Sequence, residues 1–166
     1  MGGSSEPDGL TFLFTDLEGS TALWEAYPAA MRPVLARHDA ILREAVEAHF
    51  GRVVKMTGDG LHAVFDSASK AVAAALEAQI ALLDETWPDP PGPLRVRMGI
   101  HSGESEAREG DFYGPEVNRA ARVMAIGHGG QVLISGASAA LAGDQLPPAA
   151  SFIDLGEHGL RDLLNA

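Results

Sequence analysis

The chain has no cysteine, and aromatic residues make up only 6% of its 166 positions, with two Trp and two Tyr. Without cysteine there is neither a disulfide framework nor a thiolate metal site, which suits a reducing compartment and leads to the expectation of a cytoplasmic protein. Basic residues are scarce. Twelve Lys and Arg stand against 23 Asp and Glu, giving a formal net charge of −11 and a pI of about 4.8. Such a balance excludes the extended phosphate-binding surface of a nucleic-acid binder. An anionic substrate must instead be drawn in by a few local cations or by metal ions. Long apolar runs are also missing, and none approaches the length needed to cross a bilayer. The first ten residues, MGGSSEPDGL, offer no basic head and no apolar stretch. No secretory leader is therefore expected, and residues 1–9 read as a disordered leader. With 46% hydrophobic residues, the remainder, 10–166, reads as one domain with a sizeable core.

What is present is a regular succession of elements. Leu10–Thr15 (LTFLFT) reads as a buried strand, followed by a turn at Leu17–Thr21 in which Ser20 or Thr21 caps a helix starting near Ala22. Met31–His49 carries Leu35, Leu42, Ala45 and Val46 at helical spacing and ends at Gly51. Arg52–Met56 and Leu61–Phe65 flank Thr57-Gly58-Asp59-Gly60, the turn chemistry of a β-hairpin. Ser67–Thr86 predicts a second long helix with Val72, Leu76, Ile80 and Leu83 on its apolar face. After a stiff connector (PDPPGP) come a strand at Leu94–His101, a turn or short hairpin within Ser102–Tyr113, and a helix from Gly114-Pro115 through Ala125. A strand at Gln131–Ile134, a short helix near Ala137–Leu141 and a strand at Phe152–Leu155 complete the chain. The order predicts an α+β fold: a ferredoxin-like split βαβ core (βαββαβ) with a mostly antiparallel sheet flanked by helices. The chain stops soon after its last predicted strand, which points to a missing edge strand.

Two aspartates stand where strands release the chain. Asp16 ends the first strand, and Asp59 occupies the tip of the hairpin. If the two strands are neighbours, both carboxylates meet at one end of the sheet, where paired oxygens suit Mg²⁺ or Mn²⁺. Leu17, Glu18, Gly19, Ser20 and Thr21 would then present backbone N–H groups to phosphate at a helix start. The competing explanation is that aspartates in turns bond their own backbone, and it fits Asp59 better than Asp16. The six histidines show no ligand spacing such as HExxH, and they read as packing, capping or surface groups.

FTDLEGST, KMTGD (Lys55–Asp59) and DFYGPEVNRAAR (Asp111–Arg122), in this order and spacing, resemble the signatures of the class III nucleotidyl cyclase catalytic domain. The resemblance runs from about Leu10 to Arg161. The EGST turn with its following Trp-Glu, and the ending GEHGLRDL, resemble the short bacterial, mycobacterial-type form. It implies the cyclase, palm-like version of the predicted fold. It further implies that Asp16 and Asp59, with the backbone carbonyl of Leu17, hold two divalent ions, Mg²⁺ or Mn²⁺, against a nucleoside triphosphate. Lys55 and Asp111 match the pair that reads the base. A Lys donates to adenine N1 and an Asp accepts from its exocyclic amine, whereas guanine reverses this edge; the expected substrate is ATP.

Asn118 and Arg122, four apart on one helix face, match the residues that orient the ribose and stabilise phosphoryl charge in the transition state. Arg119 lies off that face and reads as solvated. The resemblance also implies a head-to-tail homodimer with shared sites, the metal aspartates coming from one protomer and the base pair with the Asn/Arg helix from the other. The expected activity is an adenylate cyclase forming 3′,5′-cyclic AMP and pyrophosphate, and the short bacterial form it resembles is often joined to other domains in a longer parent. A poorly active nucleotide-binding regulatory domain and a guanylate cyclase are the alternatives. Two departures bear on this. Gln131 stands where relatives can carry a basic residue, leaving Arg161 for the triphosphate, and the Ser102–Tyr113 loop is short for a dimerisation arm, which implies a weak dimer.

Overall fold

The computed structural model describes residues 10–148 and 150–153. Its strands are β1 (Thr11–Leu17), β2 (Arg52–Met56), β3 (Gly60–Phe65), β4 (Val96–Ser102), β5 (Glu106–Arg108), β6 (Asp111–Tyr113) and β7 (Val132–Ile134). Its helices are α1 (Ser20–Ala26), α2 (Pro28–Ala48), α3 (Ala68–Asp84), α4 (Pro115–Ala125) and α5 (Gly136–Ala142). The main sheet has the order β2-β3-β1-β4-β7. Each of the first four strands is antiparallel to its neighbour, and β7 adds in parallel to β4. This is the split βαβ arrangement the sequence predicts, with one parallel edge. The predicted strand at Phe152–Leu155 is absent over its described part, since 152–153 have no regular structure; the rest of it, the leader and Arg161 lie outside the described residues.

Alternation along β1 sorts the two faces of the sheet. Leu13 and Leu17 join Leu61, Ala63 and Phe65 of β3 in the main core under α2 and α3. Phe12 and Phe14 join Val64 and Ala120 in a smaller cluster under α4. Asp16 follows Phe12 and Phe14 at the same two-residue interval, so it emerges on the α4 face.

Three local readings are corrected. Gly19, in the left-handed region at φ 73°, is the residue that precedes α1, so Ser20 and Thr21 fall inside its first turn and no side chain caps it. The residue that ends α2 in a left-handed conformation is Phe50 (φ 64°), not Gly51. Gly51 is small for a different reason: a Cβ there collides with the ring of Phe65. In α3 the buried residues are Ala68, Ala71, Val72, Ala74, Ala75, Ala78 and Leu82. Val72 is buried as expected and Leu76 packs against the core, while Ile80 and Leu83 face outward at 59% and 83% exposure. The small alanines let α3 lie close to α2 and the sheet, and close approach of the backbones outweighs the larger apolar side chains on the opposite side.

Gly60 shows how tightly the site end is built. It pairs with Asp16 across β1 and β3, and a Cβ there meets the carbonyl oxygen of Thr15, with the Thr57 hydroxyl at 3.0 Å. Gly60→Ala forces the two strands apart between Asp16 and Asp59. Overpacking of this kind costs about 1–3 kcal/mol, so thermal denaturation is expected to show Tm lowered by roughly 2–10 °C. Nucleotide turnover should fall much further than that loss of stability explains.

Candidate active site

One group of residues gathers in a cavity of about 340 Å³ on the α4 side of the sheet, lined by Phe14, Lys55, His62, Asp111, Phe112 and Asn118 among others. Lys55 reaches it because β2 has a register shift between Val53 and Lys55, placing Lys55 opposite His62. Such an irregularity re-aims the following side chain. Asp111 comes from the short hairpin β5–β6, closed by Glu109 and Gly110 at φ 51° and 81°, the dihedral pattern of a tight two-residue turn.

The Lys55 ammonium donates to Asp111 Oδ2 at 2.8 Å, and the Phe112 amide donates to the other oxygen, Oδ1, at 2.7 Å. The bond from Lys55, followed by that of the Phe112 amide, holds the Asp111 carboxyl below its ordinary value; the same bond raises Lys55 above its own. Asp111 therefore supports the pair from above its ordinary pKa downward, until pH falls through its depressed value. Lys55 supports it until pH rises through its raised value. Across the neutral range both partners stay charged.

His62 was not legible as a site residue. Its ring stacks on Phe14 at 3.9 Å between centroids and 16° between planes. Burial first, and the neighbouring Lys55 charge second, lower its pKa, so it presents a neutral aromatic wall to the cavity near neutral pH. A flat apolar slot with one donor and one acceptor at its mouth is suited to a heteroaromatic base.

Asn118 stands exposed on α4 and borders the same cavity; Arg122, one turn on, is half-buried. The helix is seated through Ala120 and Val123 and lies so close to β4 that a Cβ at Gly99 runs into the Met124 backbone. Its first turn is tied down by His101, buried in β4, whose Nε2 meets Glu116 Oε1 at 2.6 Å while Nδ1 meets the Ser135 hydroxyl at 2.6 Å. Arg119 is half-buried with Glu116 at 4.0 Å, not solvated as its place on the helix suggested.

The second group lies at the end of β1 and β4. Asp16 faces Arg97 across the strands, with Nε donating to Oδ1 at 2.8 Å and Nη2 to Oδ2 at 2.6 Å. These bonds raise the Arg97 pKa, and the Asp16, Glu18 and Asp59 charges add to the effect in that order. The sequence does not mark Arg97, because one Arg in a strand carries no signal until its cross-strand partner is known. The amide of Glu18 donates to the Arg95 carbonyl at 2.8 Å, and its Oε1 accepts from the Gly129 amide at 3.1 Å. Glu18 thus braces the turn. Gln131 is exposed and closes its own turn, its Oε1 accepting from the His128 amide at 2.7 Å.

Neither Asp16 nor Asp59 lines the cavity. Among the described residues no group of three or more His, Cys, Asp or Glu is placed to hold a metal ion, and no helix is long and apolar enough to cross a membrane. The donor set at the β1 end is nevertheless chemically apt for a hard cation: the Asp16 carboxylate already holds a positive guanidinium, and the Asp59 charge is near enough to act on the same group.

Comparison with known proteins bears on the family and the fold. An uncharacterized protein of Mycobacterium tuberculosis is 39% identical over 156 residues, which is 93% of this chain and 52% of that protein. The chain thus spans about half the length of such relatives. An adenylate cyclase of Podospora anserina is 37% identical over 154 residues, covering 78% of this chain and 7% of that protein. Among solved structures, an adenylate cyclase from Trypanosoma brucei, described in its monomeric state, superposes with a TM-score of 0.87 at 30% identity, covering 97% of this chain and 88% of that one. An adenylate/guanylate cyclase/hydrolase from Silicibacter pomeroyi gives 0.76 at 32% identity, covering 93% and 90%. The family described as the adenylate and guanylate cyclase catalytic domain matches residues 4–151, and the chain belongs to it.

Proposed function

We propose that the chain is an adenylate cyclase domain that converts ATP to 3′,5′-cyclic AMP and pyrophosphate at sites shared between two copies in a head-to-tail dimer. The observation that carries this reading is the Lys55–Asp111 pair at the cavity that Asn118 borders. It offers a donor and an acceptor, in the order an adenine edge requires, beside the aromatic ring of Phe14.

In the reaction the ribose 3′-oxygen bonds to the α-phosphorus, the bond from that phosphorus to the bridging oxygen breaks, pyrophosphate leaves, and the hydroxyl proton passes to solvent water. Lys55 and Asp111 fix the base, Asn118 orients the ribose, and Arg122 places a planar charged fork against the phosphoryl oxygens. Two divalent ions, Mg²⁺ or Mn²⁺, held by Asp16, Asp59 and the Leu17 carbonyl, would lower the pKa of the attacking hydroxyl and neutralise the leaving pyrophosphate. With the Glu18 amide already engaged, the amides of Gly19, Ser20 and Thr21 remain in the phosphate cradle, and Arg161 and Arg97 are the cations proposed for that end.

Separation of Asp16 and Asp59 from the base cavity favours a site completed by a second copy. Tyr113 and Ile126, next to the cavity hairpin and at the end of α4, are exposed at 44% and 41% and are available for such a contact. The test is chromatographic identification of product with Mn²⁺ and either ATP or GTP. Cyclic AMP formation at a kcat/KM at least tenfold above that for GTP supports the reading. Gln131, folded into its own turn, favours a second reading, a regulatory domain that binds nucleotide with little turnover. Nucleotide binding without cyclic product would establish that reading instead.

A further inference from the structure

The Asp16–Arg97 pair occupies the place where a cation is needed. Each carboxylate oxygen of Asp16 accepts one guanidinium bond, at 2.8 and 2.6 Å, and the third nitrogen, Nη1, lies 3.4 Å from the Ala125 carbonyl at the end of α4. The two side chains are only 27% and 26% exposed, so the pair is less open to screening than a surface ion pair. A bidentate fork of this kind fills the region between the carboxylate oxygens, the approach a metal ion would take. Its position also neutralises charge that Glu18 and Asp59 contribute nearby.

Resting on the reading of Asp16 and Asp59 as metal ligands, we propose that Arg97 is a built-in counter-ion of the metal site, which the incoming divalent cation must displace from Asp16. Three consequences follow from the chemistry. Metal alone binds weakly, because the ion that takes Asp16 costs its two charge-assisted hydrogen bonds with Arg97 and brings like charges together. A polyphosphate arriving with the metal gives the released fork new oxygen partners, so metal and nucleotide bind with positive coupling. With no metal present, Arg97 keeps the acidic end of the sheet from repelling itself.

The test is titration of the nucleotide-free chain with Mn²⁺ alone, followed by the loss of the free-ion EPR signal, with a thermal melt of each variant to confirm folding. Arg97→Gln is expected to bind Mn²⁺ about tenfold more tightly than the unmodified chain, equivalent to about 1.4 kcal/mol. Arg97→Lys keeps the charge without the fork and should fall between the two. Arg95→Gln removes a charge two residues away on an exposed side chain and should change the affinity far less. Unchanged or weaker Mn²⁺ binding in Arg97→Gln overturns the proposal, and so does an equal gain in Arg95→Gln, which would reduce the effect to bulk charge. Asp16→Asn separates the two layers of the argument. Loss of Mn²⁺ binding there, with a flat Arg97 series, sinks only the counter-ion role; binding that survives Asp16→Asn removes the metal reading beneath it.

Discussion

Mixing two inactive variants, Asp16→Ala and Arg122→Ala, is expected to restore about a quarter of the unmodified activity. Each substitution removes one half of the proposed chemistry. Asp16→Ala takes away a metal carboxylate, and Arg122→Ala removes charge stabilisation in the transition state, for which arginines in phosphoryl transfer contribute on the order of 10³-fold or more. If each site takes its aspartates from one copy and its α4 helix from the other, every mixed dimer has one site with both lesions and one with neither. Random pairing makes about half of all dimers mixed, and half of their sites intact, which gives the quarter.

The geometry explains why the experiment discriminates. Asp16 leaves the sheet at the end of β1 beside Arg97, whereas Asn118 borders a cavity that neither Asp16 nor Asp59 lines. A site contained within one chain would leave every mixed dimer with one lesion per site, and activity would stay at the level of the separate variants. Mixing is read as initial rates of cyclic AMP formation across protein concentration, because the two-residue turn of the β5–β6 hairpin makes a short arm and association is expected to be weak. A mixture that stays inactive at concentrations where light scattering shows dimers rules out the composite site.

The fold was readable because its signals are local and mutually consistent. Short β-branched and aromatic runs gave the strands, apolar spacing gave α2 and α3, Gly114-Pro115 marked the start of α4, and the Gly-Asp-Gly turn gave the β2–β3 hairpin. The errors came where packing distance outranks hydrophobicity. Ile80 and Leu83 look like core residues by composition, yet α3 is seated mainly through alanines, with Val72 and Leu82 also on the buried face, and nothing in one helix reveals how closely its neighbour approaches. The same reasoning applies to the site. Asp16, Lys55, Asp111 and Asn118 occur in motifs and could be named in advance. Arg97, His62 and the His101–Glu116 tie are defined by cross-strand register, a stacked ring and a helix docking onto a strand. Those relations are tertiary and have no fixed sequence spacing. The β2 irregularity that aims Lys55 is similarly silent in the string RVVKM.

Exchanging the two charges of the base-reading pair, Lys55→Glu with Asp111→Lys, is expected to turn preference from ATP to GTP. The pair is a single ion pair at 2.8 Å, so the double exchange keeps an ion pair in place while reversing donor and acceptor. A Glu at position 55 accepts from guanine N1–H where Lys55 donated to adenine N1, and a Lys at 111 donates to O6 where Asp111 accepted from the amine. Each mismatch left against the wrong base costs about 1–3 kcal/mol. Two mismatches therefore lower kcat/KM for ATP by roughly 10²–10⁴-fold, while GTP gains by a comparable ratio. Either single exchange places like charges together and should lose both substrates. Because the depressed Asp111 and raised Lys55 pKa values keep both groups charged through the neutral range, the unmodified ATP/GTP ratio should be flat between about pH 6 and 9. An exchanged pair that still prefers ATP would mean that the cavity walls, chiefly the Phe14–His62 stack, read the base and the ion pair does not.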